Sequence, residues 1–206
     1  MFRTILNDKI GNLLVYLAQN IDPLYMTKAL KILYIIDEVS VRQIGVPVTW
    51  LEYKVWKLGP VTEEIYNEIR HNKREVYGEN IEISLHKYIQ VEKTNNPAAN
   101  QYDSYLIKPK VSFDDAEFSE YEMEIIQKIT QICKPLSANE LIRKLHQDDT
   151  LWDKIVKSER LQRTFELEQN RSNYVIDFTA LIQNDLIKSG VYKSAYEAMN
   201  FEEELS

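Results

Sequence analysis

Glycine and cysteine are scarce in this chain, five and one among 206 residues, and their scarcity removes whole classes of chemistry. Glycines scattered singly cannot build the loop that cradles a phosphate, whether GxGxxG or GxxxxGK[ST]. The lone thiol, Cys133, has no partner for an internal disulfide or for a CxxC pair, which fits a reducing, cytoplasmic compartment. Histidine is also sparse: His71, His86 and His146 stand far apart, without metal-ligand spacing, so neither a metal nor a cofactor is expected. No GxSxG or Cys-His signature marks a nucleophile. No apolar run approaches the roughly 18–20 residues of a membrane span. The start, MFRTILNDKI, carries an early acid and no cleavable apolar region, so no signal peptide is expected. Positive charge is in deficit, with 25 Lys and Arg against 32 Asp and Glu, a net charge of −7. That balance disfavours a broad nucleic-acid or anionic-membrane surface.

What remains is an ordinary globular composition, 44% hydrophobic and 28% charged, able to bury a core. Ile10, Leu13, Leu14, Leu17 and Ile21 recur at helical spacing and predict a first amphipathic helix ending before Asp22-Pro23. A second helix, capped by Thr27, runs through KALKILYIIDEVSVRQIG and stops at Gly45. Leu30, Ile32, Leu33, Tyr34, Ile35 and Ile36 nearly encircle it, which makes it the expected centre of the fold. Tyr53–Trp56 reads as a short strand; after Gly59-Pro60 a third helix follows, with Pro60 in its first turn and Glu63 and Glu64 at its positive end. Residues 81–92 and 105–111 alternate with period two and predict a small antiparallel sheet, joined by the Tyr53–Trp56 strand. Ser119 with Glu122, and Ser137 with Glu140, have capping-box spacing. Two further amphipathic helices are expected near the end, with stripes at Tyr174, Phe178, Leu181, Ile182 and at Tyr192, Ala195, Tyr196, Met199. The fold class is therefore mainly α, an α+β arrangement with a small antiparallel sheet inserted midway and C-terminal helices.

Two charge patterns bear on function. The acidic pairs Asp114-Asp115 and Asp148-Asp149 precede predicted helices, where carboxylates cap more often than they catalyse, so no enzyme is expected. Lys154, Lys157, Arg160 and Arg163 recur every three residues and would form a basic stripe on one helix, as in a helix-turn-helix regulator using residues 119–163. Four cations beside Asp153 and Glu159 are a thin supply for duplex binding, and a solvated helix face is the plainer reading.

The segments MTKALKILYIID, GVPVT and YKVWKLGPVTEEIY, followed by LSANELIRKLHQDDTLW, share an order with a known family. The positions are Lys31, Leu33, Tyr34, Asp37, Gly45, Pro47, Tyr53, Gly59, Pro60, Val61, Tyr66, Leu141, His146 and Trp152. In these the chain resembles the SocA-like, Panacea antitoxin-domain family, also described as phage-associated-protein domains, over roughly residues 5 to 155. The resemblance implies a compact helical domain, here 1–160 including the hairpin 81–111, with a helical extension at 161–206. It implies a bacterial, phage-defence setting, direct neutralisation of a toxin encoded nearby, and no catalytic residue. Lys31, Leu33, Tyr34, Gly45, Pro47, Gly59, Pro60, His146 and Trp152 are then structural. Asp37, Tyr53, Trp56, Lys57, Tyr66, Phe178 and Tyr192 are the candidates for toxin contact. The acidic charge suits a toxin with a positive, nucleic-acid-handling cleft. The apolar stripes of the last forty residues must pack on the domain, on a second copy in a homodimer, or on the toxin.

Overall fold

Helix α2, Met26–Ile44, touches almost every other layer. Leu30, Ile32, Leu33, Tyr34 and Ile36 are all buried, as an encircling apolar pattern requires. The computed structural model describes residues 2–71, 85–94, 104–167 and 169–204. Before α2 come α1, Phe2–Asn20, and β1, Leu24–Tyr25; after it β2, Lys54–Trp56, β3, Gly59–Val61, and α3, Glu63–His71. A 3-10 turn at Leu85–Lys87 leads into β4, Ile89–Thr94, and β5, Ser104–Pro109. Four short helices follow, α4 at Glu120–Cys133, α5 at Ala138–Leu145, α6 at Leu151–Ser158 and α7 at Leu161–Glu166. A second 3-10 turn, Phe178–Leu181, precedes α8, Leu186–Glu204. The chain is mainly helical with a minor antiparallel sheet, as the patterning predicts.

The helix signals hold at most ends. Both capping boxes form: Ser119 accepts from the Glu122 amide and Ser137 from the Glu140 amide, each glutamate reaching back. Gly45 ends α2 in the left-handed region, φ 85°, its N–H donating to the Val41 carbonyl. A Cβ at Gly45 would also come within 2.7 Å of the Lys188 carbonyl oxygen, so the residue admits α8 as well as ending α2. Thr27 does not cap α2; the helix starts two residues earlier, at Met26 behind Tyr25, with no side-chain cap. Nor do the acidic pairs cap helices. Asp114 accepts from the Ala116 amide in a local turn, Asp148 pairs with Lys157, and Thr150 holds the N-cap of α6.

The sheets differ from expectation. β4 pairs with β5, and the third strand of that sheet is β1, not the Tyr53–Trp56 strand. Residues 81–84 of the expected hairpin lie outside the described residues. β2 folds back on β3 through Lys57 and Leu58, with Trp56 opposite Gly59. Gly59, at φ 95°, supplies the left-handed turn that makes this hairpin possible. Pro60 thereby sits in β3, opposite Val55, and not in the first turn of α3. Its lack of an N–H is harmless on so short a strand.

The end of the chain also departs from its predicted form. Tyr174 to Asp177 is extended, and Phe178–Leu181 makes a 3-10 turn in place of the expected α-helix. Residues 170–176 run antiparallel along β2: the Val55 amide donates to the Tyr174 carbonyl at 2.9 Å, and the Ile176 amide to the Tyr53 carbonyl at 2.8 Å. Ile176 and Phe178 are buried while Val175 and Asp177 face solvent, a period of two that outweighed the helical spacing of Tyr174 and Phe178. Phe178, Ile176 and Ile182 belong to the same core as α2. Phe178→Ala should therefore cost about 3–5 kcal/mol of unfolding free energy in a denaturant titration; a loss under 1 kcal/mol would show that the end of the chain is not core.

Candidate functional site

The β2–β3 corner is held from inside by three elements. Lys31, only 1% exposed, points from α2 into the corner, and its Nζ donates to the Pro60 carbonyl at 2.7 Å. Burial disfavours the charged amine and brings its pKa down to about 7. His146, at the C-terminal cap of α5, lies flat on Trp152 of α6, the ring centroids 3.7 Å apart. Burial, and after it the nearby Lys31 charge, holds the imidazole pKa down at about 4, so the ring is neutral at pH 7. The Trp152 indole N–H donates to the Trp56 carbonyl at 2.8 Å. The carbonyls on either side of the hairpin turn are thus each taken by a buried donor from a different helix, as buried backbone groups require.

The outward side of the same corner is different in character. The guanidinium of Arg171, an exposed residue, lies 4.4 Å from the Trp56 ring centroid and 5.2 Å from that of Tyr66. Trp56 and Tyr66 meet edge to face at 4.9 Å, and Arg70 lies over the Tyr66 ring, 5.6 Å from its centroid, and donates to its hydroxyl. Leu58, at the hairpin tip, is 50% exposed. The Trp56 indole N–H has no acceptor among the described residues. Backbone bonds bring Arg171 here: the Lys57 amide donates to the Asn170 carbonyl at 3.0 Å, and Ser172 Oγ to the Val55 carbonyl at 2.5 Å.

A second polar cluster lies deeper. Asp37, fully buried on α2, accepts from the Thr49 amide at 2.8 Å, from the Thr49 hydroxyl, and from the Tyr53 hydroxyl at 2.7 Å. Burial raises its pKa to about 6, and these hydrogen bonds pull the other way. Tyr53 stacks edge to face with Tyr34 at 5.2 Å, and both rings pack on Phe178. Asp37 therefore ties the loop after Gly45 to α2. Among the described residues, no three His, Cys, Asp or Glu side chains converge as metal ligands would.

The interior of the corner and the Asp37 cluster draw on residues that carry the family resemblance: Lys31, Gly59, Pro60, His146 and Trp152 in the one, Asp37 and Tyr53 in the other. The family model described as "Antitoxin SocA-like, Panacea domain" matches residues 30–153, more than half of the chain. The chain belongs to the SocA-like Panacea antitoxin family. No curated protein and no solved structure matches it. The matched span begins one residue before Lys31 and ends one residue after Trp152, so the interior of the corner lies within the Panacea domain.

Of the positions that carry the resemblance, Lys31, Gly59, Pro60, His146 and Trp152 meet at the corner, Leu33 and Tyr34 lie in the core, and Gly45 ends α2. Pro47 lies in the loop that Asp37 tethers. The candidates for toxin contact divide. Asp37, Tyr53 and Phe178 are interior groups, Asp37 bonded to Tyr53 and Tyr53 packed on Phe178, and their burial removes them as candidates for toxin contact. Trp56 is 7% exposed and reaches the surface only through the rings and guanidinium stacked on it. Lys57 and Tyr66 are half-buried at the outer corner. Tyr192 packs on Trp50, 5.3 Å away, on another side of the molecule. Sequence reasoning missed Arg171, Arg70, Leu58, Thr49 and Trp50. Thr49 follows Asp37 by twelve residues and Arg171 follows Tyr66 by 105, and no local period spans such gaps.

The buried amine has a pH signature. The unfolded chain keeps the Lys31 proton to about pH 10.5 while the folded chain releases it near 7, so stability rises with pH between those values. Wild type should gain about 2 kcal/mol relative to Lys31→Met between pH 7 and 9, read from urea titrations at each pH; parallel pH profiles would refute a neutralised amine.

Proposed function

We propose that this Panacea-domain protein neutralises a protein toxin by direct, stoichiometric binding, without catalysis, through the outer face of the β2–β3 corner. The carrying observation is the stack of Arg171, Trp56, Tyr66 and Arg70 beside the half-exposed Leu58. Trp, Tyr and Arg dominate the energetics of protein interfaces because they combine large apolar area with directional polar groups. Here they are already ordered against one another and against a rigid hairpin, so little side-chain freedom remains to be lost on docking. The corner is supplied jointly by the Panacea domain and by the segment after residue 165, which gives the end of the chain a part in partner choice. The patch is locally cationic on a chain of net charge −7, so it fits an acidic or aromatic surface on the toxin, with the remaining acidic surface left for steering.

DNA binding through residues 119–163 is the weaker reading. The basic series does not form one stripe: α6 ends at Ser158, Arg160 turns left-handed at φ 53°, and Arg163 lies on α7. Lys157 is occupied by Asp148 and Asp153, both at 2.8 Å.

The test uses the toxin encoded next to this gene, co-expressed for growth rescue and titrated by calorimetry. Leu58→Asp and Arg171→Glu should each weaken binding by about tenfold or more, abolish rescue together, and leave the melting temperature within a few degrees of wild type. Unchanged affinity in the folded double variant would remove the corner from the interface. A mobility-shift assay with the DNA upstream of the gene should show no sequence-dependent complex at physiological salt; a tight complex lost in Lys157→Glu would reverse the ranking of the two readings.

A further inference from the structure

α8 has one face in the molecule and one that nothing covers among the described residues. On the packed side Tyr192 and Tyr196 lie 5.3 Å and 6.1 Å from Trp50, and Ser189 Oγ donates to the Ile182 carbonyl at 2.8 Å. Turning about half a revolution brings up Ile187, Val191, Ser194, Ala198 and Phe201, all exposed, Ile187 to 80% and Phe201 to 63%. Their spacing of four, three, four and three residues is the repeat with which one helix packs along another. Gly190, beside this stripe, has no atom within 4 Å of where a Cβ would stand, so a second backbone has room to approach.

Charge selects the occupant. The first half of α8 carries Lys188 and Lys193, the second Glu197, Glu202, Glu203 and Glu204. Lys188 is held within the chain by Asp185 and the Arg42 carbonyl, whereas Lys193 and Glu197, 3.8 Å apart and both exposed, remain open to a second helix. Cations near the N-terminus and anions near the C-terminus oppose the helix's own dipole, an arrangement unfavourable in a solitary helix. Beside an identical helix running the other way it becomes favourable, since each basic half meets an acidic half and each end meets the opposite dipole. We propose that α8 pairs antiparallel with α8 of a second copy, making the protein a two-fold symmetric dimer through the Ile187–Val191–Ala198–Phe201 stripe. An isologous contact of this kind needs a self-complementary surface, and a helix whose charge reverses about its middle is one. The inference is independent of the toxin-binding reading, because the β2–β3 corner is not used.

Sedimentation equilibrium of the full chain from micromolar to submillimolar concentration should show a monomer–dimer equilibrium. Val191→Glu should raise the dimer dissociation constant by about tenfold or more by placing a charge in the apolar seam. The triple variant Glu202→Lys, Glu203→Lys, Glu204→Lys, which leaves the seam intact, should also weaken the dimer, because both halves become basic. Mixed under oxidising conditions, Ile187→Cys and Phe201→Cys chains should cross-link to each other more readily than either does to itself. The proposal is overturned by a monomer throughout, by a dimer indifferent to both the Val191 and the triple variants, or by preferential self-cross-linking of Phe201→Cys chains. It also fails if the chain is monomeric and Val191→Glu abolishes toxin binding, since the stripe would then belong to the toxin.

Discussion

One buried amine sets the arrangement of the Panacea domain. Lys31 lies in the second turn of the central helix with almost no exposure, and the Pro60 carbonyl accepts its hydrogen bond. A polar group so placed is tolerable only with a partner at the right distance, so the hairpin has little freedom to shift relative to α2. The consequences spread through contacts. Gly59 turns left-handed to put Pro60 in place, His146 is held neutral beside the amine, and Trp152, stacked on His146, reaches the Trp56 carbonyl. Four separated parts of the matched segment are thereby joined at one point. Asp37, two turns further along α2, does similar work for the loop of Thr49 and Tyr53.

This division explains how one corner can be both framework and surface. Inside, donors from α2 and α6 hold the hairpin's carbonyls; outside, its aromatic side chains are stacked with arginines from α3 and from the segment after residue 165. The same backbone carries both sets, so the outer groups inherit the rigidity of the inner ones. Groups ordered in advance in this way lose little freedom on contact, which is what the proposed docking role requires. The division also lets the fold remain constant while outer residues change, because Leu58, Arg70 and Arg171 take no part in the buried contacts of Lys31 or Asp37.

Much of the fold was legible where the signal is local. The encircling apolar residues of α2, the two capping boxes and the glycine end at Gly45 each depend on residues within a few positions of one another, and each is present. Pairing was less legible. The period-two runs announced β4 and β5, but nothing near Tyr53 says that β2 folds onto β3 or that β1 completes the other sheet; that follows from the left-handed Gly59 and from tertiary packing. Tyr174 and Phe178 have helical spacing while Val175–Phe178 alternates, and the free edge of β2 decided between them as far as Ile176. At the site, that Asp37 and Tyr53 bond each other inside the core was not legible, because Thr49 and Tyr53 lie twelve and sixteen residues from Asp37. Arg171 was invisible because only the folded chain brings it to Trp56.

We place the proposed toxin on the outside of the β2–β3 corner, with its inside fixed. Hydrogen–deuterium exchange of the protein free and saturated with the proposed toxin partner tests this most directly. Slower exchange should appear in peptides spanning residues 54–61 and 169–176, with α2 unchanged because its amides are already protected by the core. If those two peptides exchange at the same rate with and without toxin while protection appears elsewhere, the corner is a structural element only and the account of function is wrong.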